Sequence, residues 1–134
     1  MILKKNLSNI EINFKETNNS DGLSELDMWY MVYIDIMDKN VNIKFIEEAI
    51  TKYELVDLLS RIDFFLKTKK AHKERITFIK NYFKIFLIAN RKKEKRLIIE
   101  LVHVNNTKDN YEFSLDEDEI YQFVDEINVK RLSK

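Results

Sequence analysis

Cysteine and proline are both absent from this 134-residue sequence, and Gly22 is its only glycine. Without cysteine there is no disulfide framework, no thiolate zinc site and no thiol nucleophile. A single glycine leaves no room for a Gly-rich phosphate loop or a dinucleotide fingerprint. Histidine is nearly as scarce, so a metal site or a His-centred general base has only His72 and His103 to draw on. Long apolar runs are missing too. The longest, Met28 to Ile34, falls well short of the ~18 residues that a membrane span needs. The start, Met1-Ile2-Leu3-Lys4-Lys5-Asn6, lacks the apolar stretch of a signal peptide. These absences argue against a cofactor enzyme and predict a soluble, cytoplasmic chain with no membrane partner.

What is present suits one folded domain spanning residues 1–134. Hydrophobic residues make up 45% and aromatics 12%, enough for a core despite 34% charge. Net charge is zero, yet the charges are segregated. From Lys67 to Arg96 there are twelve basic residues against Glu74 and Glu94; from Asp109 to Glu126 there are eight acids and no base. Such a layout steers charged partners even when the total cancels.

Alternation marks the strands. Ile10, Ile12 and Phe14 alternate with Asn9, Glu11 and Asn13, the signature of a half-buried strand. Asn18 to Gly22 reads as a loop. Met28 to Met37 is apolar on both faces apart from Asp35, which suits a central strand covered on both sides. Asp38-Lys39-Asn40 turns it into Val41 to Phe45, predicting a hairpin. Arg75 to Ile79, Phe83 to Ala89, Leu97 to His103 and Tyr111 to Phe113 complete the strands.

Two helices carry their own start signals. Thr51-Lys52-Tyr53-Glu54 is a capping box flanked by Ile50 and Leu55 as a staple. Leu55, Leu58, Leu59, Ile62 and Leu66 follow as one stripe, and Lys67, Lys69 and Lys70 suit the carbonyl end. The second helix opens on Asp116 to Glu119 and buries Ile120, Phe123, Val124 and Ile127. The pattern predicts an α+β domain with an antiparallel sheet of about six or seven strands and two helices, in the order strands, helix, strands, helix.

No chemistry stands out. His72 sits in the charged stretch Lys69 to Glu74 and reads as a solvated connector residue. His103 shares a strand face with Leu101 and reads as structural. Acids at helix starts are explained by capping and the helix dipole for Asp116, Glu54 and Glu119. Capping does not account for Glu112, Asp118, Asp125 and Glu126. The basic stretch 67–96, with Tyr82 and Phe83 inside it, fits an RNA-binding or regulatory adaptor, although its lysines read mostly as connector residues and dedicated nucleic-acid binders usually run basic overall. Trp29, Met31, Tyr33 and Met37 form the second face of the central strand, either a second core layer or an aromatic interaction patch.

The order of segments resembles the WapI-type bacterial immunity protein family. The resemblance rests on Leu26 to Ile34, Ile50 to Leu55, Arg75 to Ile85 and Tyr111 to Phe123, and runs from about Ile10 to Ile127. The family pattern's proline near Lys80 or Asn81 has no counterpart here. The resemblance implies a non-enzymatic protein, without cofactor or metal, that binds and neutralises a cognate polymorphic toxin domain, nucleases among them. On that view the contact residues are Glu112, Glu117, Asp118, Asp125 and Glu126, with Trp29 and Tyr33 as the other candidate surface. A small enzyme with a carboxylate site is the remaining class.

Overall fold

A computed structural model describes residues 1–5, 8–16, 28–37, 42–90, 94–102 and 110–132. The elements, in chain order, are β1 (Ile2–Lys5), β2 (Ser8–Glu16), β3 (Trp29–Met37), β4 (Asn42–Thr51), α1 (Lys52–Lys67), β5 (His72–Ile76), β6 (Phe83–Ala89), β7 (Lys95–Leu101), β8 (Tyr111–Leu115) and α2 (Glu117–Leu132). The α+β class, the antiparallel pairing and the two helices are as expected. The single sheet of six or seven strands is not. The eight strands among the described residues divide into two four-stranded antiparallel meanders, β1-β2-β3-β4 and β5-β6-β7-β8, each followed by a helix. The physical reason lies in α1, which separates the two runs of consecutive strands, so each run pairs within itself.

Several elements differ in detail from the sequence reading: β7 starts at Lys95 rather than Leu97, and β8 runs on to Leu115. β1 was not anticipated, being four residues long, with Leu3 buried opposite Ile10. The β5 strand lies earlier than Arg75 to Ile79, which makes His72 a strand residue. β4 runs on through Glu47 and Glu48 to Thr51. It does so through a bulge: Tyr30 pairs with Ile50 but Met31 pairs with Glu48, leaving Ala49 as the extra, fully buried residue. A bulge bends the strand and raises its twist, here just before the chain enters α1.

Both sheets turn one face to a single core. Ile10, Ile12 and Phe14 from β2, Tyr30, Val32, Ile34 and Ile36 from β3, Ile85 and Leu87 from β6, and Leu97 and Ile99 from β7 all belong to it. The helices close it from two sides. α1 packs against β4 and β6, α2 against β2, β7 and β8, and the helices touch each other. Aromatic edges join the halves: Phe14 meets Phe123 at 5.8 Å and Phe45 meets Phe83 at 6.4 Å between centroids. Such T-shaped pairs add to plain area burial.

The capping box of α1 forms as expected. Thr51 Oγ1 accepts from Glu54 N at 3.2 Å, and Glu54 Oε1 accepts from Thr51 N at 3.1 Å. The buried stripe is Leu55, Leu58, Leu59, Ile62 and Phe65, with Phe65 taking the place assigned to Leu66. Leu66 is only partly buried. α2 has its own box, Asp116 Oδ1 accepting from Glu119 N at 2.9 Å and Glu119 Oε1 from Asp116 N at 3.0 Å. Ile120, Phe123 and Ile127 are buried and Val124 partly so.

Candidate partner-binding surfaces

The expected contact residues fall on three separate surfaces. Glu112 lies on the outer face of the second sheet, directly opposite Glu100. Glu117 and Asp118 are exposed in the first turn of α2, and Asp125 is exposed two turns on. Trp29 and Tyr33 occupy the outer face of the first sheet, away from the core. Glu126 is half-buried and turned to the amino group of Met1 at 3.5 Å. Its charge is therefore partly answered within the molecule.

On α2 the side away from the core carries Asp118, Tyr121, Gln122 and Asp125, all exposed. Positions i, i+3, i+4 and i+7 share one helical face, so these four form a continuous solvent stripe. Tyr121, 50% exposed, sits at its centre. The sequence reading missed Tyr121. The available signal was its spacing, three residues after Asp118 and out of phase with Ile120 and Phe123.

The outer face of the first sheet is organised by the register. Its rows across β2, β3 and β4 are Lys15–Met31–Glu48, Asn13–Tyr33–Ile46, Glu11–Asp35–Lys44 and Asn9–Met37–Asn42. Met37 and Ile46 are 57% and 55% exposed, while Trp29, Met31 and Tyr33 are half-buried by their neighbours. The core thus covers β3 on one side, and the expected second layer of core does not form over Met37. Asp35 is half-buried in the same face, and its Oδ1 is shielded from solvent without a hydrogen-bond partner among the described residues. At the end of the row, Lys80 Nζ stands over the Trp29 ring and donates to Glu48 O at 2.9 Å.

The basic segment is less of a connector than expected. Lys73 and Arg75 lie on β5, Lys84 on β6, and Lys95 and Arg96 on β7. The rows Lys73–Ile88–Arg96, Arg75–Phe86–Ile98–Ser114 and Lys84–Glu100–Glu112 form the outer face of the second sheet. Lys95 instead turns inward, its Nζ donating to Leu66 O near the Phe65 ring. Tyr82 and Phe83 both pack on the core through Phe45, so neither offers a ring for base stacking. Glu100 and Glu112 further dilute the positive charge of this face.

His72 is a half-buried strand residue rather than a solvated connector residue. Its ring lies 5.9 Å from Phe65 and 6.4 Å from Phe64, and its Nε2 is 3.0 Å from Glu74 Oε1. Glu74 in turn accepts from Arg61 at 3.0 Å, and Arg61 pairs with Asp57 at 2.9 Å. This chain of contacts ties β5 to α1. His103 and Asp109 lie outside the described residues. Among the described residues no three His, Cys, Asp or Glu side chains gather in a way that could hold a metal ion. No helix there is long and apolar enough to cross a membrane.

Comparison with protein-family models, with curated proteins and with solved structures gives no match to this chain.

Proposed function

We propose that this chain is a non-enzymatic immunity protein that neutralises a cognate toxin domain by covering its active surface, with the solvent stripe of α2 making the contact. The sequence resemblance supplies the role, and one observation carries the surface: Asp118, Tyr121, Gln122 and Asp125 form an exposed stripe with an aromatic between two acids. Glu117 extends it at the N-terminal end. Interface hot spots are enriched in tyrosine, and flanking charge sets the rate of encounter. A nuclease must hold phosphates and so presents a basic cleft, to which such a stripe is complementary. The acids here do not serve the core, and only those in the first turn gain from the helix dipole.

The experiment is co-expression. The toxin candidate to test is the C-terminal domain of any secreted protein encoded next to this chain. Cells expressing that domain should survive when this chain is supplied. Tyr121→Ala and the double reversal of Asp118 and Asp125 to Lys should each reduce protection while leaving the melting temperature in place. Failure of the unaltered chain to protect, or full protection by both variants, would reject this reading of the molecule.

A further inference from the structure

The cations of the basic segment divide in two once their partners are traced. Lys67 pairs with Asp63, Lys80 reaches Glu48, and Lys95 donates to Leu66 O. Lys73, Arg75 and Arg96 are exposed on the outer face of the second sheet and pair with no acid among the described residues. Register gathers these three around one ring. Arg75 stands directly opposite Phe86, while Lys73 and Arg96 flank Ile88, the next residue of β6 on that face. We infer that this face binds single-stranded nucleic acid, one base stacking on Phe86 and the neighbouring phosphates held by Lys73, Arg75 and Arg96.

The geometry follows from the strand register. Side chains directly opposite across an antiparallel pair lie about 5 Å apart at Cβ, and diagonal ones about 7–8 Å. Arg75 is the direct neighbour of Phe86, and Lys73 and Arg96 are its diagonal neighbours, so three long cationic side chains border the ring. Phe86, Ile88 and Ile98 are half-buried and make up the apolar centre of the face. Tyr82 and Phe83 are taken up by Phe45, whereas Phe86 meets no other ring among the described residues. Three cations set this close repel one another, and no acid beside them offsets that cost. Phosphates would offset it.

A sheet face is a broad platform rather than a groove. Planar bases suit such a platform, and stacking tolerates any sequence because every base has a π-face. The acids of this face lie to one side. Glu112 stands opposite Glu100, and Glu100 opposite Lys84, in the row beyond Phe86. They bound the positive region there, so the strand crosses β5, β6 and β7 over the Lys73–Ile88–Arg96 and Arg75–Phe86–Ile98 rows. This inference concerns a different surface from the α2 stripe, and its test needs no toxin.

Fluorescence anisotropy of a labelled oligouridine of about twelve nucleotides, titrated with the full chain at low salt, should show saturable binding. Its affinity should fall with salt along a log–log slope of about −2, the value for three phosphate contacts on a single strand. Lys73→Gln, Arg75→Gln and Arg96→Gln should each weaken binding several-fold and bring the slope about 0.7 closer to zero. Phe86→Leu should weaken it roughly fivefold or more with the slope unchanged, because stacking releases no counterion. Phe86→Tyr keeps the ring and should bind like the parent chain. Lys67→Gln removes a cation of the same segment away from this face and should leave the affinity nearly unchanged. Should circular dichroism show Phe86→Leu unfolded, the three cation variants and Lys67→Gln decide. Absence of binding overturns the inference, as do equal losses at Lys67 and Arg75 or a folded Phe86→Leu chain that binds like the parent. Oligoglutamate displacing the RNA at equal concentration would also overturn it and leave the face to an acidic protein segment.

Discussion

The Lys80 ammonium stands 4.3 Å from the centroid of the Trp29 ring. The two residues belong to different halves of the chain, Trp29 to the central strand of the first sheet and Lys80 to the connector between β5 and β6. Lys80 also reaches Glu48, at 2.9 Å to its carbonyl and 3.9 Å to its carboxylate. The contact therefore holds the second half's first connector against the outer face of the first sheet. Trp29 is the sole tryptophan, so its emission reports the contact directly. Lys80→Met should shift that emission and lower stability by about 0.5–1 kcal/mol, the range for a partly exposed cation over a ring. An unchanged spectrum and unchanged melting would mean the cation is not over the ring in solution.

Glu54 makes a second link of the same kind. Its Oε1 closes the capping box, while its Oε2 accepts from Ile79 N at 2.8 Å, again reaching the β5–β6 connector. Thr51→Ala should cost about 1 kcal/mol through the lost cap. Glu54→Ala removes the reciprocal bond and the connector bond together, so it should cost more than Thr51→Ala in the same denaturant titration. The reverse order would show that the Ile79 bond contributes nothing.

The buried face of α1 is open to a direct comparison of neighbours. Leu59→Ala should cost about 2–5 kcal/mol and Phe65→Ala about 3–5 kcal/mol, since each leaves a cavity that the surrounding core fills only in part. Leu66→Ala, at a partly buried position, should cost less than either. Urea unfolding of the three variants checks the order. Equal losses at Phe65 and Leu66 would place the helix in a different rotation.

On α2 the expectation is a separation of stability from binding. Lys at Asp118 and Asp125 should change the unfolding free energy by less than about 0.5 kcal/mol, as exposed substitutions usually do. Association with the toxin domain should slow at low ionic strength, and the difference should shrink as salt screens the field. Stopped-flow measurements at two salt concentrations decide it. Equal rates at low salt would move the contact off the α2 stripe.

Much of the local structure could be read directly. Both capping boxes, the alternation of β2 and β6, the β3–β4 hairpin and most of the two buried stripes depend on residues close in sequence. Their physics is local: a side chain reaching a backbone N–H three residues on, or every second side chain turning to one face. Phe65 escaped because it and Leu66 are equally apolar neighbours, and only packing against the sheets chooses between them. His72 escaped because a histidine among lysines carries no sign of the Phe64 and Phe65 rings that meet it.

What the sequence determined by itself is therefore the inventory: strands in two runs, two capped helices, a cysteine-free core and a segregated distribution of charge. The tertiary structure decided which strands share hydrogen bonds, and with that the division into two sheets. It also brought Lys80 to Trp29 and arranged Lys73, Arg75 and Arg96 around Phe86. The reason is that alternation specifies which face a residue takes but not which residue stands beside it. Neighbours across strands are set by register, and register is fixed by the whole sheet, including the bulge at Ala49.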